Sequence, residues 1–323
     1  MDGERLFRKV GLAVLVWVIA CGVGCAAQAK GTAGAKVTTK VTTVVEVFPD
    51  AQGQVDWTKG EISAKGIGVR PKGEEDPKAR LMAREAAIVV AERNLTKIVH
   101  GIHISSDTTV REAVLESDEI ERHVEGFIRG ATLVRERELK DGSYEVVMTL
   151  KMYGRRDSLA ASVDLGSRLT EPQTVPDSES KSGPESPAEE SAEEPEKPAS
   201  TDNALASQDP VTGLLVDCRG LGVKRSMSPK IVDDTGQEIW GTVRVDPELV
   251  NEKGIVGYYK SVEQVKAMGR VGKNPLVVKA TGKSGPRLFP SDPVLSGADA
   301  ARIIAEDARS HFLDRLAVGF VVD

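Results

Sequence analysis

The sequence predicts an α+β protein: an N-terminal ββααββ two-layer domain and a second α/β or α+β domain, joined by a disordered acidic linker. Three observations predict it. Short runs alternate apolar and polar residues at period two, as half-buried strands do. Two longer stretches, one alanine-rich and one near residue 300, repeat apolar residues every three or four positions, as helices do. Between the two regions the composition turns to Pro, Ser, Glu and Ala, which cannot bury enough apolar surface to offset the entropy of ordering.

In the first region, Val37, Val41, Val45 and Val47 share one side of an alternating stretch, with Thr38, Lys40, Thr42 and Glu46 on the other. That pattern predicts a strand whose valines face the core. A turn at Asp50-Ala51-Gln52-Gly53 leads to a second strand, Glu61 to Gly68. Asp76-Pro77 supplies an N-cap and a first-turn proline for a helix. Its stripe of Ala83, Ala87, Ala91, Leu95, Ile98 and Ile102 is narrow enough for close packing on a sheet. Thr109-Val110-Arg111-Glu112 is a capping box opening a second helix, broken near Asp118, with Ala113, Ile120, Val124 and Phe127 inward. Thr132 to Leu139 and Tyr144 to Met152, joined at Asp141-Gly142, form a hairpin.

In the second region, Leu214-Leu215-Val216 reads as a buried strand ending in Asp217-Cys218-Arg219-Gly220. Lys230 to Val232 and Glu238 to Val243 form a hairpin around Asp234-Thr235-Gly236. Ser261 to Gln264 caps a short helix, and Pro275 to Lys279 is another strand. Ser296 to Asp299 caps a longer helix with Ala301, Ile304, Ala308 and Phe312 on one face. Leu316 to Val322 is almost wholly apolar, which suits a central strand.

The expected organisation is a signal peptide at 1–20, a tether at 21–35, a folded domain at 36–157, a linker at 158–210 and a second domain at 211–323. The signal rests on Arg5, Arg8 and Lys9 followed by an apolar run from Gly11 to Ala20, too short to span a bilayer comfortably. Val18-Ile19-Ala20-Cys21 resembles a bacterial lipobox, in which small residues flank the cut and the thiol accepts a diacylglycerol. Cys21 is therefore the expected lipidation site. Cys25 is the alternative, and Ala27-Gln28-Ala29 offers ordinary signal-peptidase cleavage. Each buried methylene of a lipid anchor contributes about 0.8 kcal/mol, so two or three acyl chains hold a protein on a membrane that it does not span.

The net charge of -6 arises from 43 basic and 49 acidic side chains and is unevenly placed. Glu171 to Asp209 holds eleven acidic residues and six prolines against only Lys181 and Lys197, leaving 41 basic and 38 acidic residues elsewhere. As a coil of about 40 residues this stretch would span roughly 35 Å. Nothing in this balance points to nucleic acid. With 28% charged residues and one long apolar run, a multi-span membrane protein is excluded. Three cysteines cannot build a disulfide scaffold.

Candidate chemistry is sparse. His100, His103, His123 and His311 lie at no recognised zinc spacing, and no metal or cofactor is expected. Gly66-Ile67-Gly68 and Gly220-Leu221-Gly222 lack the remainder of a phosphate-binding fingerprint. There is no G-x-S-x-G and no H-E-x-x-H. Asp217 and Arg219, at the end of an apolar strand, are the one candidate interaction loop, since α/β folds often place function there, although an Asp and Arg closing a loop through hydrogen bonds is the commoner role. Cys218 between them is expected to be structural.

The segments GEISAKGIGVRP, ARLMAREAAIVVAERNLTKIVHGIHISSDTTV and VEGFIRGATLVRERELKDGSYEVVMTLKM together resemble the Lpp-twenty family of bacterial lipoproteins. The shared features are Gly66 and Gly68, the helix with Ala83, Ala86, Ala87, Ala91 and Leu95, and Gly126 to Ala131 before the closing hairpin. The stretch from TGLLVDCRGLG to RVGKNPLVVKA resembles a C-terminal module of longer exported members, whose strand end reads VDARG. Cys218 thus stands where a small residue is expected. The resemblance implies a lipid-anchored outer-membrane protein, periplasmic or surface-facing, with relatives of the FlgP type forming rings around the flagellar motor. It implies no catalytic residue. The expected function is a structural or assembly role through protein-protein contacts or self-assembly. The alternative is an exported enzyme or periplasmic ligand-binding protein using loop 217–222.

Overall fold

The computed structural model describes residues 42–73, 76–170, 209–241 and 246–323, and shows a mixed α+β fold. The signal, Cys21, Cys25, the tether and residues 171–208 lie outside the described residues.

The N-terminal half begins with strands β1 (Val45–Phe48), β2 (Gly53–Asp56) and β3 (Glu61–Gly68). Helices α1 (Asp76–Gly101), α2 (Val110–Glu116) and α3 (Asp118–Arg129) follow, then strands β4 (Thr132–Glu138) and β5 (Tyr144–Lys151). The strands form one antiparallel sheet in the order β1-β2-β3-β5-β4. The helix break falls where the sequence predicts it. Thr109 and Glu112 close a reciprocal capping box on α2, and the Ser117 hydroxyl accepts from Ile120 N to start α3. Two expectations are corrected. A strand, β2, forms just after the predicted turn, because Gly53 to Asp56 pairs with β3 on one side and β1 on the other. On β1 the core side is the opposite one: Phe48 packs on the core and Val44, just before the strand, is fully buried, whereas Val47 is 63% exposed. Val37 and Val41 lie outside the described residues.

Helix α1 covers one face of this sheet through its alanine stripe. Ala79, Ala83, Ala87, Ala91, Leu95 and Ile98 are all buried. They meet Ile62, Ala64, Gly66 and Gly68 of β3, the residues of one pleat face. At the glycines the helix backbone itself touches the strand. A Cβ on Gly66 would lie 2.0 Å from the Ala87 carbonyl oxygen, and one on Gly68 would lie 1.9 Å from that of Ala83. Asn94 Nδ2 donates to the Lys65 carbonyl at 2.8 Å, tying helix to strand at the same seam.

The expected linker starts later than residue 158. Two short helices, α4 (Leu159–Ser162) and α5 (Leu165–Thr170), follow β5, with Leu159, Ala160, Val163 and Leu165 fully buried. The apolar residues among 159–165 find a core to enter, so the chain folds there.

The C-terminal half holds two sheets. One is a four-stranded parallel sheet of β6 (Gly213–Asp217), β9 (Gly257–Tyr259), β10 (Pro275–Lys279) and β13 (Val318–Val321), in the order β10-β6-β13-β9. The other comprises β7 (Ile231–Asp233), β8 (Glu238–Trp240), β11 (Gly282–Ser284) and β12 (Asp292–Leu295), in the order β11-β12-β7-β8. Helices α6 (Pro247–Lys253), α7 (Val262–Met268) and α8 (Gly297–Ser310) complete it. The largely apolar β6 and β13 are central, and both faces are covered. Leu214, Val216, Val318 and Phe320 enter the main core, while Leu215 and Val321 pack with Tyr259, Val265 and Val271. On α8 the buried residues are Ala300 and Ile303, one position earlier than predicted, and Ile304 is 58% exposed. Phe312 is buried, but beyond the helix end.

The two halves share one core and one compact unit, Val41–Asp323. The Thr58 hydroxyl donates to the Tyr258 carbonyl at 2.8 Å, and the Trp57 ring meets Tyr258 edge to face, centroids 5.5 Å apart. Met227 N donates to His103 O and Ser228 N to Ile104 O, at 3.0 and 2.7 Å. Gly154 N donates to Asn251 O, and the Asn251 side chain accepts from Gly166 N. His103 stacks flat on Phe289. The two expected regions are present, and backbone hydrogen bonds and aromatic packing join them.

Gly66→Val should lower unfolding stability by about 3 kcal/mol or more, since the helix must retreat from the strand. In the same denaturant titration Ser63→Ala, on the opposite sheet face, should change it by less than about 0.5 kcal/mol. Acid should also weaken the fold. Burial holds both His100 and His103 below the ordinary imidazole range. Arg111 adds to this at His100, while a Ser105 backbone hydrogen bond, Glu112 and Glu46 partly oppose it at His103. The unfolded chain then takes up protons more readily, so these rings' contribution is complete above about pH 6.5 and is lost as pH falls through the folded values. Urea midpoints should fall between pH 7.5 and 5.5, and His100→Gln with His103→Gln should flatten that slope.

Candidate functional site

The loop predicted from sequence lies at the carboxyl edge of the parallel sheet, where β6 ends. Ala280 N donates to the Asp217 carbonyl at 2.9 Å and Cys218 N to that of Val321 at 2.8 Å, so the loop leaves the sheet between β10 and β13. Gly220 and Gly222 have φ of 78° and 63°, a left-handed backbone that glycine adopts without strain.

Asp217 and Arg219 are brought together, and they face each other. Arg219 Nε donates to Asp217 Oδ1 at 2.8 Å, a terminal guanidinium nitrogen donates to Oδ2 at 2.6 Å, and the Arg219 backbone N–H adds a third contact at 3.2 Å. The fork holds the Asp217 carboxyl below the ordinary range, with burial opposing and Lys279 assisting. A carboxylate kept ionised, with both oxygens engaged, is a poor proton acceptor. The neighbouring backbone is engaged too. Gly220 N donates to the Asp323 carboxylate at 2.9 and 3.1 Å, and Arg225 donates to the Asp323 backbone oxygen at 2.9 Å.

Cys218 is buried, and its thiol lies 3.8 Å from the Val216 carbonyl. Burial, followed by the charges of Asp217 and Asp323, pushes the thiol up to about 12. It stays protonated near neutral pH and is no nucleophile there. Asp217 and Arg219 thus close the loop on each other, and Cys218 between them is buried in the core.

The histidines serve different places. His100 lines a groove of about 380 Å³ between α1 and α3, His103 sits in the seam between the halves, and His311 caps α8. Among the described residues no group of three His, Cys, Asp or Glu is arranged to hold a metal ion. No described helix is long and apolar enough to cross a membrane.

Two arrangements escaped sequence reasoning. Arg270 donates to the carbonyls of Lys253, Gly254 and Leu316 at 2.8, 2.5 and 3.1 Å, locking the end of α6 to the start of β13. Glu145, on the sheet face away from α1, collects Lys65, Arg135 and Arg137. The alternation of Arg and Glu in residues 135–138 was the available signal for the second. The first had none, because its acceptors are backbone atoms far apart in sequence.

Residues 213–323 match the family model described as Treponema pallidum Tp0624, second domain. The match starts at the first residue of β6 and includes loop 217–222. No curated protein matches the chain.

Cys218 should resist a thiol reagent such as dithionitrobenzoate in native buffer and react fully in denaturant. Rapid native labelling would contradict its assignment to the core.

Proposed function

We propose that this chain is a lipid-anchored bacterial envelope protein of the outer membrane, related to the Lpp-twenty lipoproteins and working through protein-protein contacts. Cys21 is its acylated residue, and Cys25 the alternative. The role is structural or in assembly, and a flagellar ring is one setting for it.

The observation that carries the contact role is the outward face of α1. Met82, Ala86 and Val89 form a stripe at helical spacing with Leu81 beside it, and Leu81, Met82 and Val89 are exposed. The stripe runs into the groove that Val89, Arg93, Val124 and Ile128 line between α1 and α3. A contiguous apolar strip next to a groove is what a protein partner, or another copy of the chain, covers. The anchor rests on the sequence from Arg5 to Cys21. The enzyme alternative finds less support, because Asp217 and Arg219 are spent on each other.

One experiment separates the two parts of this reading. Cells fed a labelled fatty acid should incorporate it into the wild-type chain and carry that chain in the outer-membrane fraction, and Cys21→Ala should lose both. Met82→Glu with Val89→Glu should keep the label but run as a smaller species in a detergent extract. Full labelling of Cys21→Ala moves the anchor elsewhere, and an unchanged size for the double variant removes the α1 face as a contact.

A further inference from the structure

The five-stranded sheet packs one face on α1, and its other face is open to solvent. On that face Lys65 stands opposite Val147, Val147 opposite Arg135, and Glu145 opposite Arg137. The Glu145 carboxylate has Arg137 Nε at 2.7 Å, Lys65 Nζ at 3.3 Å and an Arg135 terminal nitrogen at 3.7 Å. Its side chain is only 4% exposed because these cations roof it, while their own side chains remain 39%, 61% and 57% exposed for Lys65, Arg135 and Arg137. Hydrogen bonds and charge from Arg137 and Lys65 hold Glu145 below the ordinary carboxyl range, against the opposing effect of burial. In this cluster one carboxylate neutralises one of the three cations, so two positive charges and several outward-facing donors remain; Asp56 and Glu61 lie farther along the same face, where Lys151 stands opposite Glu61. Beside them is a trough of about 540 Å³, whose lining includes Val47, Gln54, Ser63, Lys65, Arg135 and Val147 and no acidic side chain.

The chain carries its own counter-charge. Between Glu171 and Asp209 eleven acidic residues stand against two lysines, interspersed with the small residues Ala, Ser and Pro that suit a shallow trough. This stretch follows α5, which packs in the same compact unit as the sheet. Held at both ends, its nearly 40 residues can loop out by up to about 65 Å at roughly 3.3 Å per residue. Tethering sets an effective concentration of order millimolar, so ion pairs that are individually worth less than about 1 kcal/mol add up to a populated contact.

A second copy of β4 is a poor rival for this surface. Arg135 and Arg137 lie on the open face, while Glu136 and Glu138 face the α1 side, held by Arg84 at 2.8 Å and by Arg70 and Arg80 at 2.6 and 3.2 Å. Symmetric antiparallel pairing of two β4 edges would set Arg against Arg or Glu against Glu.

We propose that the open sheet face around Lys65, Arg135 and Arg137 is the docking surface for the acidic segment between Glu171 and Asp209 of the same chain. The segment then covers this face from within, and an external anionic partner must displace it.

Carbodiimide cross-linking of the full-length chain, read by mass spectrometry, tests this. Lys65 should link to carboxylates of the segment, and the yield should fall at least fivefold as salt rises from about 0.05 to about 0.5 M, where screening shortens the reach of surface charge. Arg135→Gln with Arg137→Gln should lower the yield similarly while keeping the Lys65–Glu145 link, which reports an intact sheet. Absence of any Lys65 link to the segment beside a normal Lys65–Glu145 link overturns the proposal. Links found only between isotopically distinct copies overturn it in favour of a second molecule. Protection of this face from hydrogen exchange by phosphatidylglycerol vesicles, without segment links, overturns it in favour of a lipid surface.

Discussion

Backbone contact between α1 and β3 sets the spacing on which the N-terminal half depends. Gly66 and Gly68 leave no side chain between strand and helix, and Ala83, Ala87 and Ala91 answer with single methyl groups. Such closeness brings Asn94 within hydrogen-bond reach of the Lys65 carbonyl and lets Ile62, Leu95 and Ile98 fill the wider space toward the other end. Larger residues at either glycine would lift the helix, and the buried groups at the far end would lose their neighbours together. The small residues are thus a geometric requirement and carry no chemistry of their own.

From that frame the chain builds outward to a second, parallel sheet without losing continuity. The turn after β2 delivers Trp57 and Thr58 to Tyr258, and the loop after α1 delivers the carbonyls of His103 and Ile104 to Met227 and Ser228. The Tyr258 hydroxyl, deeply buried, accepts from Ser226 N and donates to Ser226 O, so the ring that joins the halves leaves no unpaired polar group. Arg270 does the same for three carbonyls at the edge of the parallel sheet. These polar groups hold loops and halves in register.

Charge follows a comparable economy. Asp217 is matched by Arg219, Glu136 by Arg84, and Glu138 by Arg70 and Arg80. The cluster around Glu145 on the open sheet face departs from this pairing, with three cations over one carboxylate, and the region after α5 departs in the opposite sense. Two unbalanced regions of opposite sign in one chain make an electrostatic relation between them a physical expectation.

Period and capping made much of the fold legible in the residues themselves. The alanine stripe of α1, the capping box at Thr109, the break near Asp118, the closing hairpin and the apolar central strands are all local, since spacing of three to four or of two is enough to mark them. Position at the edge of a strand likewise picked out Asp217 and Arg219. Which side of β1 faces the core, the one-residue rotation of α8 and the existence of β2 were not legible. Each depends on what packs against the element, and valines on both sides of a short strand leave its register undecided. Whether Asp217 and Arg219 face outward to a ligand or inward to each other was also beyond spacing, because side-chain direction in a loop follows from the strands on either side. Local spacing and residue type were enough for most of the elements and for the placement of charge along the chain. That the two halves form one core and that Glu145 gathers three cations emerges on folding alone, because those contacts join residues far apart in sequence whose affinity no local pattern records.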